Sequence, residues 1–205
     1  MNKGIDISHW NKIINFEKVS QAVDFVILKA GGSDKGFYQD KTFLTNYKHL
    51  HDKYSVPTGA YYYVGRKCTS FDAGVNDALK FIKIIQGLKF EYPLYIDLES
   101  TSPKDKEGAT EACIGFCRVM EQHGYYVGIY ASDISGFKER LNIDMLRSYD
   151  LWVARYGSKP KYAQPYGIHQ YSSTGTINGI AGKVDLDESY KNYPAIMKVY
   201  RLNGY

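Results

Sequence analysis

The chain has 205 residues, 44% hydrophobic and 23% charged, a balance that excludes a disordered or fibrous chain and allows one well-filled core. Its net charge of +4 comes from scattered Lys and Arg residues, so no nucleic-acid groove is expected, only a weak attraction to anionic polymers. No apolar run approaches membrane-spanning length, and membrane insertion is not expected. From the N-terminus, a strand pattern at residues 3–8 is followed by a helix at 16–23 and a strand at 24–30. A helix at 41–53, a strand at 58–64, a helix at 71–86 and a strand at 92–98 come next. A helix at 110–123 leads to a strand at 125–131. After Asn142 the helical signal fades, and strands at 151–156, 167–171 and 184–186 follow one another through short loops. The helix at 71–86 carries Phe71, Val75, Leu79, Ile82 and Gln86 near one face, with Ser70 placed to cap it.

Strand–helix alternation implies parallel pairing with right-handed crossovers. Eight strands in this length predict a small TIM-like barrel, incomplete because its last strands lack helices. A doubly wound open sheet is the alternative that spacing leaves open. Residues 194–205 read as a C-terminal tail, a last helix or the start of a linker.

Tyrosine is abundant, with 20 copies. Its flat face and polar tip suit pyranose rings, although strand packing accounts for most of them. Cys68, Cys113 and Cys117 are odd in number and read as reduced, buried thiols. The N-terminus runs straight into a strand without an apolar leader, so synthesis in the cytoplasm without a signal peptide is expected.

The sharpest chemical signal is Tyr95-Ile96-Asp97-Leu98-Glu99-Ser100, at the C-terminal end of a strand. Side chains two apart share a face, roughly 6.5–7 Å from each other, and two carboxylates so placed raise at least one pKa when shielded from water. A raised carboxyl serves as general acid, and its ionised neighbour stabilises positive charge, as in glycoside hydrolysis. The competing structural explanation is a solvated acidic strand end, or charges that complement the dipole of the following helix. Asp6, in Gly4-Ile5-Asp6-Ile7-Ser8, ends the first strand at the same mouth, where a turn or cap role is equally ordinary. Trp10 beside it suits a sugar platform or a core lid. Near the end, Asp185 follows Val184 and is the inward-facing choice, whereas Asp187 reads equally as a cap.

These pieces resemble the family 25 glycoside hydrolases, bacterial and phage lysozymes that cut muramyl bonds in peptidoglycan. The resemblance rests on GIDIS, PTGAYYYV, YPLYIDLES, GYYVGIYAS, LWVARYG, IHQYSS and GKVDLD, in that order, and covers the chain to about Tyr193. It implies a flattened β/α barrel with five helices and a final run of strands, residues 1–193 forming the catalytic unit. It implies Glu99 as general acid, Asp97 holding the substrate's N-acetyl group or stabilising positive charge, and Asp6 and Asp185 completing an acidic floor. Tyr62, Tyr130, Trp152, Arg155, Gln170 and Tyr171 would line the sugar groove. The spacing of Asp97 and Glu99 suits substrate assistance better than an opposed nucleophile, with inversion through Asp6 or Asp185 as the other route. Many relatives have His where this chain has Tyr62, and many continue into wall-binding modules, to which residues 194–205 could lead.

The resemblance also implies peptidoglycan glycan strands as partner, action on the bacterial wall after release in a phage-type lysis, and no cofactor. A monomer is expected. A metal is not: His49 and His51 fall on different helix faces, and His9, His123 and His169 are dispersed. A family 18 chitinase would need acids at positions 92 and 95, where Tyr92 and Tyr95 stand. A cysteine peptidase would need a reactive thiol with a nearby His. A non-catalytic carbohydrate-binding barrel would share the aromatic residues but need not keep all four acids.

Overall fold

The computed structural model describes residues 1–205. Eight strands form its centre: β1 (Asn2–Ile7), β2 (Phe25–Gly32), β3 (Thr58–Tyr63), β4 (Leu94–Asp97), β5 (Val127–Ser132), β6 (Asp150–Ala154), β7 (Ile168–Gly175) and β8 (Val184–Ser189). Pairing is parallel from β1 through β7, and β8 runs antiparallel to both β7 and β1. The ring of hydrogen bonds is therefore closed, and the open-sheet alternative is excluded. Helices α1 (Phe16–Ser20), α2 (Phe43–Tyr47), α3 (Phe71–Ile85) and α4 (Lys106–Gln122) cover the first half of the barrel. A wide π-type turn, Lys48–Lys53, prolongs α2. No helix is long and apolar enough to cross a membrane.

The strands sort their side chains by parity. Ile5, Ile7, Val26, Leu28, Ala60, Tyr62, Leu94 and Ile96 face outward into the main core with α3 and α4. Phe25, Ile27, Tyr61, Tyr95, Tyr130, Trp152 and Ile168 face inward and form a second core inside the barrel. Gly4 permits this filling, because a Cβ there would lie 2.5 Å from the Phe25 ring, which stacks on Tyr92 at 4.3 Å.

Ser70 caps α3 by accepting from Ala73 N–H at 3.2 Å, an interaction worth about 1 kcal/mol. The buried face of α3 is Gly74, Asp77, Ala78, Phe81, Ile84 and Ile85, rotated from the expected stripe; Leu79 is 42% exposed. Small residues cause the rotation. A Cβ on Gly74 would meet the Ala112 carbonyl at 1.9 Å, so the close crossing with α4 requires glycine there.

Residues 194–205 belong to the packed body, and of the readings offered above they take the last helix. Helix α5 (Tyr193–Tyr200) closes the barrel floor, with Tyr193 and Met197 fully buried in the inner core. Beyond it, the Asn203 side chain donates to Tyr92 O at 3.0 Å and accepts from Tyr126 N at 2.8 Å. Asp150 Oδ2 ties the floor together, accepting from Tyr126, Tyr193 and Lys191 at 2.8–2.9 Å.

Candidate active site

Inward parity that gives aromatics at the floor gives polar groups at the mouth. On β1 the inward series is Gly4 then Asp6, on β2 Phe25, Ile27 then Lys29, and on β4 Tyr95 then Asp97. At the C-terminal mouth Asp6, Tyr61, Asp97, Glu99, Tyr130, Trp152, Tyr156, Gln170 and Asp185 line one pocket of about 210 Å³. All four expected acids thus converge.

Register explains the acid cluster. Antiparallel β1–β8 pairing sets Asp6 opposite Asp185 and Gly4 opposite Asp187. Asp187, read from sequence as a possible cap, is fully buried and accepts from Trp152 Nε1 at 2.8 Å. Burial lifts its pKa to about 8 against the lowering hydrogen bond from Trp152. Asp6 is raised by burial first, then by Asp187 and Asp185, with Gln170 opposing. Gln170 is oriented by two hydroxyls: Tyr130 and Tyr156 each donate to its Oε1 at 2.9 Å. Its Nε2 is thereby turned to donate to Asp6 Oδ2 at 2.7 Å.

Asp97 is buried, and its Oδ1 has no hydrogen-bond partner in the protein. Its pKa is raised by burial and then by Glu99, while Lys29 draws it down. Glu99 stands at the rim, exposed on its groove side. The surrounding walls still withdraw enough water to raise its pKa, against Lys29 and Arg140 and with Asp185. Lys29 lies over the Tyr63 ring at 4.4 Å and 5.8 Å from that of Tyr61. Arg140 is fixed by a bond from its Nε to Thr101 O at 2.7 Å.

Glu99 also borders two neighbouring hollows. One, of about 360 Å³, adds Tyr63, Ser132, Arg140 and Arg155. The other, of about 540 Å³, adds Arg66, Ser100, Thr101 and Asp105. Glu99 therefore sits where three hollows meet, in the middle of a continuous groove.

Two expected groove residues are elsewhere. Tyr62 points outward, with its ring 5.6 Å from Phe81 and 6.4 Å from Phe116; its neighbour Tyr61 takes the groove position. Tyr171 also faces outward on β7, edge-on to His169 at 6.2 Å. Arg155 lines the groove, but its guanidinium is engaged by Asp133 at 2.6 Å and Ser158 at 2.9 Å. Trp10 is 80% exposed, with its ring 4.5 Å from that of His9, which is tied to Asp40 at 2.6 Å. Cys68, Cys113 and Cys117 are buried and free, and burial raises all three thiols.

Tyr61, Tyr156, Lys29 and Arg140 stand at this candidate site without having been named from the sequence, and Asp187, weighed there as a cap, is buried beneath it. The parity argument applied to Asp97 would have found Tyr61, because parallel pairing sets Tyr61 beside Tyr95. Nothing local marks Tyr156 or Arg140.

The family model for glycosyl hydrolases family 25 matches residues 5–180. The autolytic lysozyme of Clostridium acetobutylicum is 30% identical over 188 residues, 91% of this chain and 55% of that protein. The chain thus spans about half the length of that relative. Among solved structures, the CTP1L endolysin superposes with a TM-score of 0.83 at 24% identity, over 97% of this chain and 70% of that one. The modular autolysin LytC of Streptococcus pneumoniae, in complex with a synthetic peptidoglycan ligand, gives 0.81 at 28% identity, over 92% of this chain and 46% of that one. Matched over most of its length, with acids gathered at the mouth of a closed barrel, the chain belongs to glycosyl hydrolases family 25.

Proposed function

We propose that the chain is a lysozyme that hydrolyses the β-1,4 bond from N-acetylmuramic acid to N-acetylglucosamine in peptidoglycan, retaining anomeric configuration by substrate assistance. The observation that carries the reading is Glu99, its pKa raised, at the junction of three hollows and beside the unpartnered Oδ1 of Asp97. Glu99 protonates the departing glycosidic oxygen. Asp97 Oδ1 accepts from the N–H of the acetamide, whose carbonyl oxygen attacks the anomeric carbon as the bond to the leaving oxygen breaks. Water then opens the cyclic intermediate, with Glu99 taking its proton. Tyr61, Tyr130, Trp152 and Gln170 shape the sugar site, and Asp6, Asp185 and Asp187 keep its floor polar. The substrate is an extended polymer that lies along the groove, and the enzyme acts on it as a monomer in this reading. The lysozyme name of the clostridial relative and the peptidoglycan ligand of the pneumococcal one support this assignment and action at the bacterial wall; release by a phage-type lysis belongs to the same proposal.

The test is clearing of purified peptidoglycan with mass analysis of the fragments, for wild type, Glu99→Gln, Asp97→Asn and Asp6→Asn. Fragments with a muramic acid reducing end are expected, with rates falling about 100- to 10,000-fold for Glu99→Gln and Asp97→Asn. Near-normal Asp97→Asn activity with a dead Asp6→Asn variant would overturn substrate assistance in favour of inversion. Wall binding without cleavage would reduce the protein to a carbohydrate-binding barrel.

A further inference from the structure

The groove does not end at Glu99. Through Arg66 and Ser100, the hollow on one side of Glu99 opens into a larger one of about 790 Å³. Its charged lining is Lys35, Arg66, Lys67 and Lys80 against Asp34 and Asp77. Asp77 is already satisfied, accepting from Ser33 Oγ at 2.8 Å and from Lys80 Nζ at 3.0 Å. Lys35, Arg66 and Lys67 form no ion pair within 4.0 Å. The reaction pocket is the reverse, lined by Asp6, Asp97, Glu99 and Asp185, with Lys29 and Arg140 acting on Asp97 and Glu99 from outside that lining.

The mouth is thus polarised along the groove, acidic where bonds are broken and basic at one end. An anion is repelled from the first region and held at the second. In the substrate of the proposed reading, the sugars in line with Glu99 are uncharged apart from what the muramic lactyl group carries. That group carries a short peptide whose C-terminus is a carboxylate. Extended chain spans roughly 3.5 Å per residue, so a stem of three residues reaches about 10 Å from its sugar. Charged polymers attached elsewhere on a wall have no fixed distance from the bond being cut.

We propose that the basic hollow binds a carboxylate of the peptide stem borne by the muramic sugar, so that the enzyme prefers stem-bearing glycan to bare glycan. The inference rests on the muramidase reading and adds the form of the strand that is cut. Lys35 and Lys67 line only this hollow and lie on exposed loops, which makes them suitable for substitution.

The experiment compares kcat/KM on two glycan preparations freed of phosphate-containing wall polymers, one with stems intact and one stripped by an amidase. Wild type is expected to favour the stem-bearing strand about fivefold, the order of one partly exposed ion pair. Lys35→Ala/Lys67→Ala should bring that ratio close to one without slowing cleavage of stripped glycan. The charge reversal Lys67→Glu should push the ratio lower still. An unchanged ratio in these variants, or a wild-type preference that appears only when phosphate polymers are left on the wall, would overturn the proposal. Cleavage of neither preparation by wild type would instead overturn the muramidase reading, and this one with it.

Discussion

Asp187→Asn tests whether the acid floor is held protonated inside the barrel. Asp187 is fully buried, accepts from Trp152 Nε1 at 2.8 Å and has its pKa lifted from 3.8 to about 8. A carboxyl whose folded pKa exceeds its unfolded one contributes full stability below the unfolded value, about pH 4. That stability is lost as pH rises toward the folded value. At 1.36 kcal/mol per unit the upper limit is about 6 kcal/mol, and the charge that Asp187 shares with Asp6 brings the expected effect nearer 2–3 kcal/mol. Asparagine keeps an oxygen for Trp152 and offers an N–H to Asp6, but has no proton to lose. Thermal melts followed by circular dichroism between about pH 4 and pH 8 should show the wild-type Tm falling about 5–10 °C more than that of the variant. Asp40, Glu91 and Asp133, whose pKa values are lowered, are common to both proteins and cancel in the difference. Parallel Tm curves across this window would refute the buried, proton-holding floor.

Two further predictions concern the walls of the pocket. Tyr62→Phe removes a hydroxyl that is buried without a partner, so kcat/KM should stay unchanged and stability stay level or rise by about 1 kcal/mol. Tyr61→Ala should lower kcat/KM, and the opposite pattern of rates would return Tyr62 to the groove. Lys29 holds down the pKa values of both Asp97 and Glu99. Lys29→Met should therefore move both limbs of the pH–rate profile to higher pH, because Asp97 ionises later and Glu99 keeps its proton longer; a profile that stays in place would show that Lys29 does not act on the pair.

The eight strands were legible because each is a short apolar run between turn residues, and helices visibly separate only the early ones. Asp97 and Glu99 were legible because a period of two needs no tertiary information. Tyr62 failed for a physical reason. Barrel strands are buried on both faces, so Tyr61, Tyr62 and Tyr63 carry no alternation of polarity to reveal which points inward. Tyr171 failed in the same way on β7. On α3, bulk misled: Leu79 looks like core and Gly74 does not, yet the close helix crossing needs the residue without a side chain. Helix α5 carries its own start signal in Asn192, which caps Ala195 N–H at 3.3 Å. Its destination was invisible, because the floor it closes is assembled from strands far apart in sequence.

Packing and chemistry depend on the same parity, and this ties the activity to the fold. Phe25, Ile27 and Lys29 are successive inward positions of one strand, as are Tyr95 and Asp97 of another. A slip of one residue would turn the floor aromatics and the mouth acids outward together, so no misregistered barrel keeps one without the other. The buried acids oppose folding at neutral pH, as their raised pKa values require. The inner aromatic core, closed beneath by Tyr193 and Met197, supplies apolar burial on the same strands that offsets this cost. Asp187→Asn should accordingly be more stable than wild type at neutral pH, and any activity it loses would measure what the floor charge contributes to the reaction.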